Sequence, residues 1–179
     1  MLNLPEFEFS HLGIYVTDMD KVRDFYTGLL GFRVTDAGGH PNGQRLTFLS
    51  RDPKDHHQIV LVSGRKPATP STVNQITFRV ASLKAVRAMH DLAVANGVAG
   101  IDPISHGNAW SVYFMDPEGN RIEFFCDTPW YVAQPRRERL DFSLSDEEIE
   151  AATYRSIKDD PSTRPFAEWR TEKRREFGS

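Results

Sequence analysis

Glu123 lies within Arg121-Ile122-Glu123-Phe124-Phe125, where the alternation of a strand turns its carboxylate away from Ile122 and Phe124. A carboxylate among such neighbours carries a large desolvation cost unless a cation, a metal or a hydrogen-bond donor pairs with it. His11, in Ser10-His11-Leu12-Gly13-Ile14-Tyr15-Val16, is an obvious co-ligand, because imidazole and carboxylate together suit a divalent ion. Read singly, His11 is also compatible with a hydrogen-bonded strand histidine and Glu123 with a carboxylate at a rim. His56 and His57 follow Arg51-Asp52-Pro53-Lys54; alternation turns His56, Gln58 and Val60 to one face, and the pair taken alone also fits a solvated strand end. Tyr113 by itself fits a core tyrosine bonded to a carbonyl. His40, on a glycine-rich loop, and His90, on a helix surface, carry no pattern. The chain has no glycine-rich phosphate loop, no serine nucleophile elbow and no Cys-x-x-Cys pair.

The elements that must position these residues come from a duplication with a period of about 64 residues. Leu12, Ile14 and Val16 superpose on Ile76, Phe78 and Val80, and both segments alternate as strands do. Asp18 and Ser82 then cap helical stripes, Val22, Phe25, Tyr26, Leu29, Leu30 and Val86, Met89, Leu92, Ala93, which Gly31 and Gly97 end. Three strand-like stretches follow each helix: 32–36, 45–50 and 58–62 in the first module, 101–105, 110–115 and 121–125 in the second. The pattern predicts an α+β fold of two βαβββ modules whose sheets form a curved, partly closed mixed surface around a cleft. Period two turns His11, Gly13 and Tyr15 to the cleft, and Gln75 occupies the position equivalent to His11.

Charged residues become denser after residue 128, which marks residues 128–179 as a separate extension. Ser145 with Glu148 three residues on is a capping box, and a second helix is expected over 165–175. The aromatics Trp130, Phe142, Tyr154, Phe166 and Trp169, with Ile149, either pack this extension onto the modules or a neighbouring subunit, or form a lid over the cleft. The 179 residues carry 22 Lys and Arg against 25 Asp and Glu, a balance that predicts no broad basic footprint for nucleic acid or an anionic membrane. A single cysteine, Cys126, an N-terminal MLNLPEFEFS without a basic apolar leader, and no window fit to span a bilayer predict a cytoplasmic protein with a small-molecule partner.

Residues of about 7–126 resemble the vicinal oxygen chelate group, which includes glyoxalase I, methylmalonyl-CoA epimerase, fosfomycin-resistance proteins and extradiol catechol dioxygenases. The most specific element is Tyr113-Phe114-Met115-Asp116-Pro117-Glu118-Gly119-Asn120-Arg121-Ile122-Glu123, which is similar to the group's final hairpin and its metal-binding glutamate. The resemblance implies a domain over 1–127, with modules 8–63 and 74–126. Within the group the chain looks most similar to one-domain type I extradiol dioxygenases of the 2,3-dihydroxybiphenyl type. That likeness implies a metal held by His11, Gln75 and Glu123, His57 as acid/base, and Tyr113 and His106 as groups that orient the substrate. Fe(II) is the implied ion, with Mn(II) or another divalent metal as the alternative; the partners are a small aromatic substrate and O2, in a homo-oligomer. Gln75 departs from the extradiol pattern, which has histidine there, and predicts weaker iron binding because an amide oxygen is a poorer donor to Fe(II) than imidazole. Val60 stands where glyoxalase I has a glutamate ligand. The alternatives are a non-redox isomerase, epimerase or lyase on the same platform, or an inactive homologue that binds a small molecule.

Overall fold

Alternating apolar residues and two capped amphipathic stripes build two compact units, Met1–Thr72 and Val73–Ser179, in a computed structural model that describes residue 5 and residues 8–178. In the first, β1 (Leu12–Val16) leads to α1 (Met19–Gly28), then β2 (Arg33–Gly39), β3 (Arg45–Ser50) and β4 (Ile59–Ser63). Asp18 caps α1 by accepting from the Lys21 amide at 3.0 Å, and Met19, Val22 and Tyr26 form its buried stripe. The sheet order is β1-β4-β3-β2; β1 runs parallel to β4 and the other pairs are antiparallel. The edge strand β2 is exposed along its whole length and extends beyond the expected Asp36 to Gly39.

The second unit repeats this plan with β5 (Ile76–Arg79), α2 (Leu83–Ala95), β6 (Asp102–Ser105), β7 (Ala109–Met115) and β8 (Arg121–Asp127). Ser82 caps α2, which buries Leu83, Val86 and Ala93. Asp116 opens the turn between β7 and β8. Its carboxylate is buried yet accepts from the amides of Glu118 and Asn120 and from Asn120 Nδ2, at 2.8–2.9 Å. Burial pushes its pKa up, and these donors oppose that shift.

The duplication holds at the level of ladder register. Parallel pairing sets Leu12 beside Ile59 and Gly13 beside Val60; in the second unit it sets Ile76 beside Ile122 and Thr77 beside Glu123. His11 and Gln75 each stand immediately before the first strand of their unit. The expected equivalence of His11 with Gln75, and of Val60 with Glu123, is therefore a backbone fact. Together the mixed sheets and helices give the expected α+β architecture.

The extension belongs to the second compact unit. After β9 (Trp130–Tyr131), β10 (Glu138–Arg139) adds an edge strand to give the sheet order β10-β6-β7-β8-β5. The capping box forms as expected and starts α3 (Asp146–Ile157); β11 (Arg164–Pro165) pairs with β9 and leads into α4 (Phe166–Phe177). The strands β9, β10 and β11 have two residues each, too short to leave an alternation pattern in the sequence. Packing onto the module comes from Arg87 on α2, which donates to the carbonyls of Phe142 and Leu144 and to Asp146, and from Trp110 Nε1, which donates to Thr153 at 2.8 Å. Trp169 of α4 stacks on Tyr131 with centroids 5.0 Å apart. No described helix is long and apolar enough to cross a membrane.

Gly107 shows how closely the extension fits. Its φ is +76°, and a Cβ there would lie 2.7 Å from Val132 Cγ1 and 2.9 Å from Ile157 Cγ2. Gly107→Ala therefore combines backbone strain with overpacking and is expected to cost about 2–4 kcal/mol, read as a lower urea midpoint.

Candidate functional site

In the second unit the parallel β5–β8 ladder puts Thr77 opposite Glu123, and Gln75 precedes them on the same face. Glu123 is only 6% exposed. Its Oε2 accepts from Gln75 Nε2 at 2.6 Å and from Thr77 Oγ1 at 2.8 Å, and Gln75 Nε2 also reaches Thr77 Oγ1 at 3.0 Å. These charge-assisted bonds offset part of the desolvation cost without a side-chain cation.

Tyr113 stands opposite Glu123 in the antiparallel β7–β8 ladder and is 5% exposed. Its hydroxyl shares a 2.9 Å hydrogen bond with His106 Nε2, and the Arg121 guanidinium lies 3.8 Å from the centre of its ring. Burial, and then the Glu123 carboxylate, push the Tyr113 phenol well above its ordinary pKa, against an opposing pull from Arg121. His106 Nδ1 bonds to the Arg136 carbonyl at 2.6 Å. These groups surround a pocket of about 570 Å³, with Phe125, Ala109 and Pro135 as apolar walls and Gln134, Arg136 and Arg137 completing its lining. The second unit thus brings four expected residues, Gln75, His106, Tyr113 and Glu123, to one pocket.

The first unit holds the other two. The rings of His11 and His57 lie 4.2 Å apart, His56 Nδ1 and His57 Nδ1 are 2.9 Å apart, and the Phe48 ring lies 5.1 Å from His57. Alternation favoured His56 and the family resemblance His57; β4 begins only at Ile59, so strand alternation does not extend back to either. His57 is half-buried against His11, whereas His56 is exposed. Burial first, then His11 and His56, lower the pKa of His57, which favours its neutral, proton-accepting form. Where the second unit has Glu123, the first has Val60, buried between Gly13 and Phe48 in the ladders.

Among the described residues, no three His, Cys, Asp or Glu side chains are grouped to hold a metal ion, the His11–His56–His57 cluster included. Beside Glu123, the Gln75 amide is chemically suited to supply a further oxygen donor. Sequence reasoning missed Thr77 and Arg121, although each lies two residues from a candidate on the same strand face. Arg136 left no local signal.

Residues 8–124 match the family model of the Glyoxalase/Bleomycin resistance protein/Dioxygenase superfamily. The chain belongs to this superfamily. Among curated superfamily relatives, it is 25% identical to biphenyl-2,3-diol 1,2-dioxygenase 2 of Rhodococcus globerulus over 125 residues, which cover 67% of this chain and 63% of the relative. It is 27% identical to the metapyrocatechase of Pseudomonas sp. (strain CF600) over 122 residues, 66% of this chain and 38% of the relative. The match thus spans less than two thirds of either relative's length. In fold, it resembles the Mn(II) and sulfate complex of the fosfomycin resistance protein FosX from Listeria monocytogenes, with a TM-score of 0.54 and 20% identity over 72% of this chain and 95% of that one. A glyoxalase/bleomycin resistance/dioxygenase domain from Frankia sp. EAN1pec gives 0.57 and 17%, over 69% and 100%.

Thr77→Val removes one of the two donors to the buried Glu123 carboxylate in this superfamily member. It is expected to lower stability by about 1–3 kcal/mol, with Thr77→Ser losing roughly half as much or less, measured by thermal denaturation.

Proposed function

We propose that this superfamily member is a metal-dependent extradiol dioxygenase that opens the ring of a hydrophobic catechol, of the 2,3-dihydroxybiphenyl type, with O2. The observation that carries the reading is the floor of the pocket, where a buried carboxylate on β8 sits beside a tyrosine hydrogen-bonded to a histidine. The names of the two curated relatives, a biphenyl-2,3-diol 1,2-dioxygenase and a metapyrocatechase, support it. Under this reading His11, Gln75 and Glu123 are the ligands, one imidazole nitrogen, one amide oxygen and one carboxylate. That set suits Fe(II) less firmly than two imidazoles would, and suits Mn(II) or another harder divalent ion at least as well. Gln75 would turn its amide so that oxygen replaces the nitrogen now facing Glu123.

The bound ion would supply a Lewis-acidic, redox-active centre for the catechol hydroxyls and dioxygen. The remaining work belongs to side chains. His57, kept neutral by burial and its histidine neighbours, accepts a proton from the substrate hydroxyl and returns it during ring opening. Tyr113 and His106 orient the hydroxyl edge, while Phe125, Ala109 and Pro135 take the apolar body of the ring. Both atoms of O2 enter the product.

Gln75 favours one second reading, a non-redox isomerase or lyase on the same residues, because such chemistry has no need of an imidazole-rich iron site. The deciding experiment is anaerobic loading with Fe(II), addition of a catechol panel that includes 2,3-dihydroxybiphenyl, and admission of air. Oxygen uptake with the yellow absorbance of ring-fission products is expected. Neither signal, with iron shown to be bound, would defeat the dioxygenase reading and shift it to the non-redox one. His57→Ala is expected to abolish turnover, by a factor of about 100 or more, and to leave the metal content unchanged. Loss of metal in that variant would make His57 a ligand instead of a proton carrier.

A further inference from the structure

One stretch of the extension, Gln134 to Arg137, lines the pocket. Two side chains clamp it. Gln134 Nε2 donates to the carbonyls of His106 and Val132, at 2.8 and 3.2 Å, and to Asn108 Oδ1 at 3.1 Å. Arg136 donates to Asp160 Oδ2 and to the Ser156 carbonyl, both at 3.0 Å, and reaches Glu138 at 3.4 Å. Asp160 is in turn fixed by Ser162, whose amide and hydroxyl donate to Oδ1 at 2.9 and 2.6 Å. The end of α3 and the turn after it thus hold Arg136 in place.

The backbone of Arg136 meets the site directly, since its carbonyl lies 2.6 Å from His106 Nδ1. A carbonyl only accepts, so the proton of that bond sits on Nδ1. In a neutral imidazole Nε2 then carries a lone pair, and the phenol must donate the 2.9 Å bond between Nε2 and Tyr113 Oη. A phenol has one proton to give. The Glu123 carboxylate, itself only an acceptor, competes for that proton; with Nδ1–H held by the Arg136 carbonyl, the 2.9 Å bond to Nε2 takes it, and Tyr113 Oη then meets a pocket ligand as an acceptor.

We propose that Arg136 is a positioning residue: through its carbonyl the extension fixes His106 as the Nδ1–H tautomer, and so makes Tyr113 an acceptor that selects ligands presenting a hydroxyl proton to the pocket. Only the identity of that hydroxyl, a catechol's, rests on the dioxygenase reading. The tautomer does not.

The test is two-bond 1H–15N NMR on the full-length protein labelled with 15N-histidine, free of metal and substrate, at a pH where imidazole is neutral. His106 is assigned by the signals missing in His106→Gln. The expected pattern is a pyrrole-type Nδ1 and a pyridine-type Nε2, kept in Tyr113→Phe because the carbonyl sets it. Asp160→Asn, which removes the ionic anchor of Arg136 and leaves its bonds to Ser156 and Glu138, is expected to weaken that pattern in favour of averaged shifts or the Nε2–H form, with an unchanged circular dichroism spectrum. An Nε2–H pattern in the native protein would overturn the proposal. So would conversion to Nε2–H in Tyr113→Phe, or a folded Asp160→Asn variant with the native pattern. No turnover enters this measurement, so a failed oxygen-uptake experiment and a failed tautomer assignment are separate results.

Discussion

A carboxylate placed on a central strand with apolar neighbours must find donors, and the second unit is arranged around meeting that need for Glu123. Its strand, β8, pairs in parallel with β5, and the pairing delivers Thr77 opposite and Gln75 one step before. Both donate to the same oxygen, Oε2. The antiparallel partner β7 brings Tyr113 to the other side, where the carboxylate's charge helps to hold the phenol protonated. A one-residue slip in either ladder would turn Glu123 into the packed layer beneath α2, where no such donors lie. Register and site chemistry are therefore a single constraint.

The duplicated plan makes the asymmetry between the units informative. The same backbone positions that carry Gln75, Thr77, Tyr113 and Glu123 in the second unit carry His11, Gly13, Phe48 and Val60 in the first. One copy has become a cluster of hydrogen-bonded oxygens and the other an apolar patch topped by imidazoles. The layer packed beneath the helices lies on the opposite faces of the strands, in residues such as Val16, Leu61, Val112 and Ile122. Relieved of forming the layer beneath the helices, these faces could diverge in chemistry while the ladders stayed the same.

The extension adds a third level of organisation. It docks by satisfying polar groups as well as by burying apolar ones: Arg87 meets the carbonyls of Phe142 and Leu144 and the α3 N-terminal Asp146, and Trp110 finds Thr153. Docked in this way, it supplies a pocket wall and the carbonyl that binds His106. Packing describes α3, while the segment at 134–137 lines the pocket without any of the aromatics named for either sequence reading.

Period-two and period-3.6 patterns, the capping residues and the repeat were enough to place both βαβββ modules, both helices of the extension and the equivalence of His11 with Gln75, since these depend on local alternation and sequence spacing. Glu123 stood out because a charge inside an apolar strand is a local contradiction that demands a partner. Alternation gave no guide to His56 and His57, since their segment precedes β4, and only the fold shows which of them is half-buried. Thr77 acquired meaning only from the parallel register, a pairing between residues 46 positions apart. Arg136 and its carbonyl reach His106 from 30 residues away through β10, α3 and Asp160, and a contact of that range leaves no trace in neighbouring residues. Local physics wrote the elements, and long-range hydrogen bonding decided which side chains share a pocket and where its protons sit.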